Sequence, residues 1–172
     1  SPRTMRWREG ETLRAASDAY AAYLELRPEH ADAPSGFLDA ADYFREEARQ
    51  PELALRVLSN LAEIGFENTA LLRVLGYRLS QWNLPTLAIR PFEDALALRP
   101  EEPQSHRDLA LALARLPQPQ TNRAIERLWF VATHDWHGRF PDIDLIALHE
   151  LNAIFASTKI TPIGFKKPRR LL

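Results

Sequence analysis

The stretch from Ala70 to Pro100, ALLRVLGYRLSQWNLPTLAIRPFEDALALRP, decides how the rest of the chain is read. Its apolar residues return every three or four places, the period of a helix with one buried face. Leu72, Leu75, Gly76 and Leu79 give a large, large, small, large order in the first half. Ala88, Phe92 and Ala95 follow in the second half, and Pro100 closes the unit. A step of 34 residues carries the pattern in both directions: Leu38, Leu72 and His106 align, as do Ala41, Leu75 and Leu109, then Asp42, Gly76 and Ala110. In the second helices Ala54 corresponds to Ala88 and Leu58 to Phe92. The third unit slips by two residues, because RLPQPQTNRA lengthens its inter-helix turn, and Ala124 and Leu128 then take the small and large places. Ahead of these units, Ala16, Tyr20, Tyr23 and Pro28 match Ala88, Phe92, Ala95 and Pro100.

This order of residue types resembles the tetratricopeptide repeat (TPR). Small residues at Gly76 and Ala88 let the two helices of a unit approach closely, and Leu75 and Phe92 fill the space between units. One unit alone cannot bury its apolar face, so such units must stack. The expected fold is all-α, a right-handed superhelical array of TPR-like helix-turn-helix repeats with a C-terminal capping helix. Residues 1–156 are expected to form that domain, with about three full repeats, a preceding helix and the cap, and 157–172 a linker or tail toward a further domain. The chain opens Ser1-Pro2 without an initiator Met, which reads as a piece of a longer protein.

The helix-start signals agree with this division. Pro34, Pro51, Pro85 and Pro103 stand where first turns should begin, since a missing N–H costs nothing there. Asn68 and Thr121 are candidate N-caps. The reading places helices near 11–27, 35–49, 52–64, 69–82, 85–98, 104–116, 121–133 and 142–156. Pro91 is the misfit; it removes one backbone bond at a cost of roughly 3 kcal/mol, so a kink is expected there. In the last helix Ile143, Ile146, Leu151, Ile154 and Phe155 gather toward one face, expected to pack near Leu128 and Val131.

The segments RPEEPQSHRDLALALA (Arg99 to Ala114) and HGRFPDIDLIALHELNAIFA (His137 to Ala156) resemble the repeat region of bacterial VIT-domain proteins, which carry an inter-α-trypsin-inhibitor-type module. The resemblance covers residues 34–156 and implies an interaction or spacer role in a cell-envelope, periplasmic setting, with a cytoplasmic one left open. That family's usual turn is WDGRFP; here His137 replaces the Asp, which weakens any acidic site in the turn.

Composition narrows the function classes. Lys+Arg 22 against Asp+Glu 23 leaves a net charge of -1, without the positive surplus that nucleic-acid or membrane-surface binding needs. There is no cysteine, hence no disulfide and no thiolate site. No transmembrane run, phosphate-binding glycine loop or G-x-S-x-G elbow occurs, so neither an enzyme nor a small-molecule substrate or cofactor is expected. His134 and His137, with Asp135, Asp142 and Asp144, read as a polar loop in which the two later carboxylates complement a helix started by Pro141, rather than as a metal site. Lys166, Lys167, Arg169 and Arg170 read as a solvated basic tail. Tyr20, Tyr23, Phe92, Trp129 and Phe130 read as core, with Trp82 and Trp136 packed at helix ends.

What remains is a protein-protein interaction scaffold that takes a peptide or partner domain on the concave face; the alternatives are a structural spacer and a regulatory appendage of a larger protein. In repeats of this type the first helix of each unit lines the concave face. One, five and eight residues beyond Leu38 and Leu72 stand Asp39, Tyr43 and Glu46, then Arg73, Tyr77 and Ser80, with Arg107, Leu111 and Ala114 in the third unit. Leu111 suits the core better. The candidate partner-binding set is therefore Asp39, Tyr43, Glu46, Arg73, Tyr77 and Arg107. The two arginines suit a peptide carboxylate; the bland alternative is that Asp39 and Arg73 pair with each other, for under about 1 kcal/mol. The Lys and Asn residues of the carboxylate-clamp subfamily are missing from these rows. If Leu75 is a packed core site, Leu75→Ala will lower the unfolding free energy by about 2–5 kcal/mol in urea titration; a loss below about 0.5 kcal/mol would place it outside the core.

Overall fold

The computed structural model describes residues 16–26, 34–64 and 67–158, and among them all regular structure is helical, with no strand. In chain order the α-helices are α1 (Ala16–Leu26), α2 (Pro34–Asp42), α3 (Pro51–Ile64), α4 (Thr69–Gln81), α5 (Pro85–Leu98), α6 (Pro103–Ala114), α7 (Thr121–Thr133) and α8 (Ile143–Thr158). A π turn, Tyr43–Glu47, continues α2, and Arg49, two residues past its end, is left-handed. Pro28 and the tail beyond Thr158 lie outside the described residues.

The start signals work mostly as read. Four helices begin on Pro34, Pro51, Pro85 and Pro103. Asn68 caps α4: its Oδ1 accepts from the N–H groups of Ala70 and Leu71, at 3.0 and 3.2 Å. Thr121 is not a cap. Gln120 holds that place without a side-chain bond, and Thr121 is the first helical residue. Pro141 does not start α8 either, because Asp142 takes a left-handed φ of 58° and delays the helix to Ile143. α5 runs unbroken through Pro91, which is buried.

The chain divides into two compact units, residues 1–71 and 72–172. In the first, α2 packs on α3 and the π turn touches both. Phe44 is its aromatic centre, with the rings of Tyr20, Tyr23 and Tyr43 at 5.9, 6.2 and 5.5 Å. Asn60, buried on α3, donates to the Tyr23 hydroxyl at 3.0 Å, which satisfies two polar groups away from water. In the second unit α5 packs on α6, α6 on α7, and α8 on α7 with a smaller contact to α6.

Burial follows the 34-residue register. Ala54, Ala88 and Ala124 are fully buried, and so, within a few per cent, are Leu58, Phe92 and Leu128. Leu75 and Leu109 are buried at equivalent places. Leu72 and His106 are also buried, but Leu38 is only half-buried. His106 fills a leucine place as a neutral ring: its Nε2–H donates to the Pro100 carbonyl at 2.8 Å, and burial lowers its pKa.

Gly76 shows why a small residue is required. A Cβ there would stand 2.7 Å from the ring of Phe92, so the ring occupies the volume a side chain would fill. α8 departs from the reading. Its buried stripe is Ala147, Leu151 and Ile154, at helical spacing. Ile146, expected inside, is one residue from Ala147 and so turned about 100° away, and it is exposed.

Gly76→Ala should destabilise the chain by about 1–2 kcal/mol net, since overpacking costs roughly 1–3 kcal/mol and outweighs a helix-propensity gain of up to about 1 kcal/mol. In a Phe92→Leu background the same change should cost less. Equal losses in both backgrounds, measured by urea unfolding, would show that the ring does not set this contact.

Candidate interaction face

Arg73 and Tyr77 lie four residues apart on α4, and Gln104, Arg107 and Asp108 lie three and four apart on α6, so each set shares one side of its helix. The two sets meet. Arg73 Nη2 donates to Glu102 Oε2 at 2.7 Å and to Ser105 Oγ at 2.8 Å, while its Nε faces Asp108 Oδ2 at 3.3 Å. That last contact is an ion pair without hydrogen-bond alignment, which leaves both atoms buried with charge but no directional partner. The Tyr77 hydroxyl and the Gln104 amide both donate to Asp108 Oδ1. Arg107 donates to Gln104 Oε1 at 2.9 Å and makes a two-pronged pair with Glu150 of α8, its Nε reaching Oε2 at 2.9 Å. One polar seam thus runs from α4 across α6 to α8.

Burial sets the electrostatics of the seam. The Asp108 side chain is 2% exposed. Its desolvation raises the carboxyl pKa, against the lowering pull of the bonds from Tyr77 and Gln104 and of the Arg73 charge. The Tyr77 phenol is pushed up to about 12, first by desolvation and then by its bond to Asp108. Arg107 is held more firmly protonated by its hydrogen bond to Glu150. Even so, Tyr77 keeps 44% of its surface open, its ring edge-on to Phe92 at 5.4 Å. Beside it a cleft of about 160 Å³ opens, lined among others by Ser80, Phe92, Gln104, Leu111 and Arg115.

Of the residues singled out from sequence, Arg73, Tyr77 and Arg107 come together here. Asp39, Tyr43 and Glu46 belong to the first unit, with Asp39 and Tyr43 half-buried and Glu46 exposed. Leu111 is half-buried at the cleft rather than in the core. The reading missed Glu102, Gln104, Asp108 and Glu150. One signal was available: Asp108 stands a step of 34 from Val74 and two steps from Ala40, so a carboxylate replaces an apolar residue.

In the turn after α7, Trp136 is buried, as is Trp82 at the end of α4. Phe130, expected inside, is partly exposed, because it stacks on His134 at 4.8 Å at the edge of the turn. His137 lies 3.6 Å from Asp135, and no group of three or more His, Asp or Glu among the described residues is placed to hold a metal ion. No helix among them is long and apolar enough to cross a membrane. Comparison with protein families, with characterised proteins and with solved structures finds no match to this chain.

The seam predicts how Tyr77 titrates. Its contribution to stability is complete below the ordinary tyrosine value and disappears as pH rises past its folded value near 12. Asp108→Asn removes the facing negative charge and should bring the Tyr77 titration down toward 10, the ordinary phenol value. Ultraviolet tyrosinate titration of the wild type, D108N and Y77F checks this; a Tyr77 phase unmoved in D108N would mean the pair does not form.

Proposed function

We propose that the chain is a TPR-type interaction module that holds an extended peptide or the edge of a partner domain on the face carrying Arg73, Tyr77 and Arg107. The observation that carries this reading is Tyr77, a large aromatic side chain left half open yet fixed in place by Asp108 and Gln104. A contact residue that is already rigid loses little entropy on binding, and Tyr is among the residues enriched in energetic anchors. The adjoining cleft is smaller than the roughly 300–1,000 Å³ of small-molecule sites, and suits a single side chain of a peptide. The equivalent places on α2 and its π turn, Asp39, Tyr43 and Glu46, enter the proposal through the 34-residue register alone.

The geometry modifies the role of the arginines. Arg73 is engaged by Glu102 and Asp108, and Arg107 by Glu150. A peptide carboxylate would have to displace them, so the cation that serves it is Arg115, exposed at the cleft and without an ion pair among the described residues. The same engagement favours a second reading, a structural spacer in which the seam stiffens successive helices. The sequence resemblance to the repeat region of bacterial VIT-domain proteins supports either role, and with it a cell-envelope setting. Neither reading invokes catalysis.

Peptides selected from a display library on the intact chain separate the two. Tyr77→Ala and Arg115→Glu should each weaken a selected peptide at least about tenfold, the loss for a contact of roughly 1.4 kcal/mol. Unchanged affinity in both variants, with helical content preserved, would leave the spacer reading in its place.

A further inference from the structure

His106 stands at a leucine place of the register, in step with Leu38 and Leu72, and is 5% exposed. Its ring lies 4.6 Å from that of Phe130 on α7 and 6.5 Å from that of Trp136 in the turn after α7. The Trp136 Nε1–H donates to the Val131 carbonyl at 2.9 Å, and the Trp136 ring meets those of Phe130 and His134 at 5.9 and 4.4 Å. These rings join α6 to the end of α7 and to the turn that follows it. The Pro100 carbonyl, 2.8 Å from His106 Nε2, can only accept, so Nε2 carries the hydrogen of the neutral ring. Nδ1 is then the bare nitrogen, and it is buried with no hydrogen-bond partner among the described residues. A second proton can bind only there. It would create an N–H without an acceptor and a cation without water, and each is costly in a protein interior.

Among the described residues no carboxylate pairs with His106 to hold that cation. From α7 and its end, Arg127 and His134 act on it, and both oppose the proton. The neighbouring carboxylates serve other cations. Glu93 and Asp94 of α5 pair with Arg123 and Arg90, and Glu101 with Arg99. Glu102 and Asp108 face Arg73 of α4, Glu150 of α8 holds Arg107, and Asp135 of the turn faces His137. Desolvation is the largest influence on His106 and lowers its pKa, and the Pro100 bond offsets only part of this. The Phe130 and Trp136 rings attract a cation, but they recover only part of its lost hydration. We propose that His106 is an acid-sensitive latch: a proton on Nδ1 drives the ring from its site and releases Phe130 and Trp136 from α6. The sign follows from the neutral folded form. The latch is fully closed above the ordinary histidine value of about 6.5 and loosens as pH falls below it, by up to about tenfold per pH unit for one proton.

Hydrogen exchange of the intact chain, followed by NMR at about pH 7.5 and about pH 5 and corrected for intrinsic rates, tests this. The Trp136 indole N–H, and the His134 amide that closes on the Phe130 carbonyl, should be less protected than the Phe92 and Ala95 amides of α5, because they open without global unfolding. Their protection should fall about tenfold at the lower pH. His106→Gln keeps a donor for Pro100, and His106→Leu restores the residue of the other units; in either, with helical content preserved, the fall should vanish. His134→Gln should leave it in place. Protection of Trp136 unchanged by acid overturns the proposal, as does protection equal to that of α5, which means that the turn opens only with the whole fold. So does a fall that survives both His106 variants or is lost in His134→Gln, since another group then carries the proton. A wild-type His106 ring that titrates at the ordinary histidine value overturns it as well.

Discussion

The second unit is organised by the contact of Phe92 with the bare backbone of Gly76. Without a side chain at Gly76, α4 comes close enough to α5 for the ring to lie against its backbone. Tyr77, the next residue, is then placed edge-on to the same ring with its hydroxyl aimed at α6. Any side chain at Gly76 larger than hydrogen would force the Phe92 ring, against which Tyr77 packs, to shift. The apolar packing and the polar seam are therefore one arrangement, in which the first sets the distance at which the second can form.

The seam itself is a poor source of stability. Removing Asp108 from water raises its pKa, and the Arg73 guanidinium that faces it lacks hydrogen-bond alignment at Nε. Buried ion pairs of this kind often do no better than apolar residues of the same size. What they supply is a demand for particular partners, because an orphaned buried charge is costly while a mispaired methyl group is not. Tyr77 benefits from that demand: it is held at a defined angle with nearly half its surface open, without needing a ligand to order it.

The positions of the helices were legible because they rest on local rules. Four prolines at first helical turns, Asn68 at a cap and alanines recurring at one register place the helices and their buried sides without reference to contacts. The failures have local causes as well. Gln120 preceded Thr121 into the cap place, and Ile146 lies about 100° from Ala147, off the buried stripe that Leu151 and Ile154 complete as expected. The seam was only half legible. Arg73, Tyr77 and Arg107 follow from the repeat register, but their partners lie 29, 31 and 43 residues further on, and side-chain reach between helices leaves no periodic trace.

Stacked helices are commonly pictured as interchangeable, because their apolar contacts look alike. The seam makes this chain less permutable. Arg73 and Tyr77 are addressed to a following helix that carries Glu102, Gln104 and Asp108, and Arg107 to one that carries Glu150. The order of these helices is thus written in polar side chains as well as in apolar contacts.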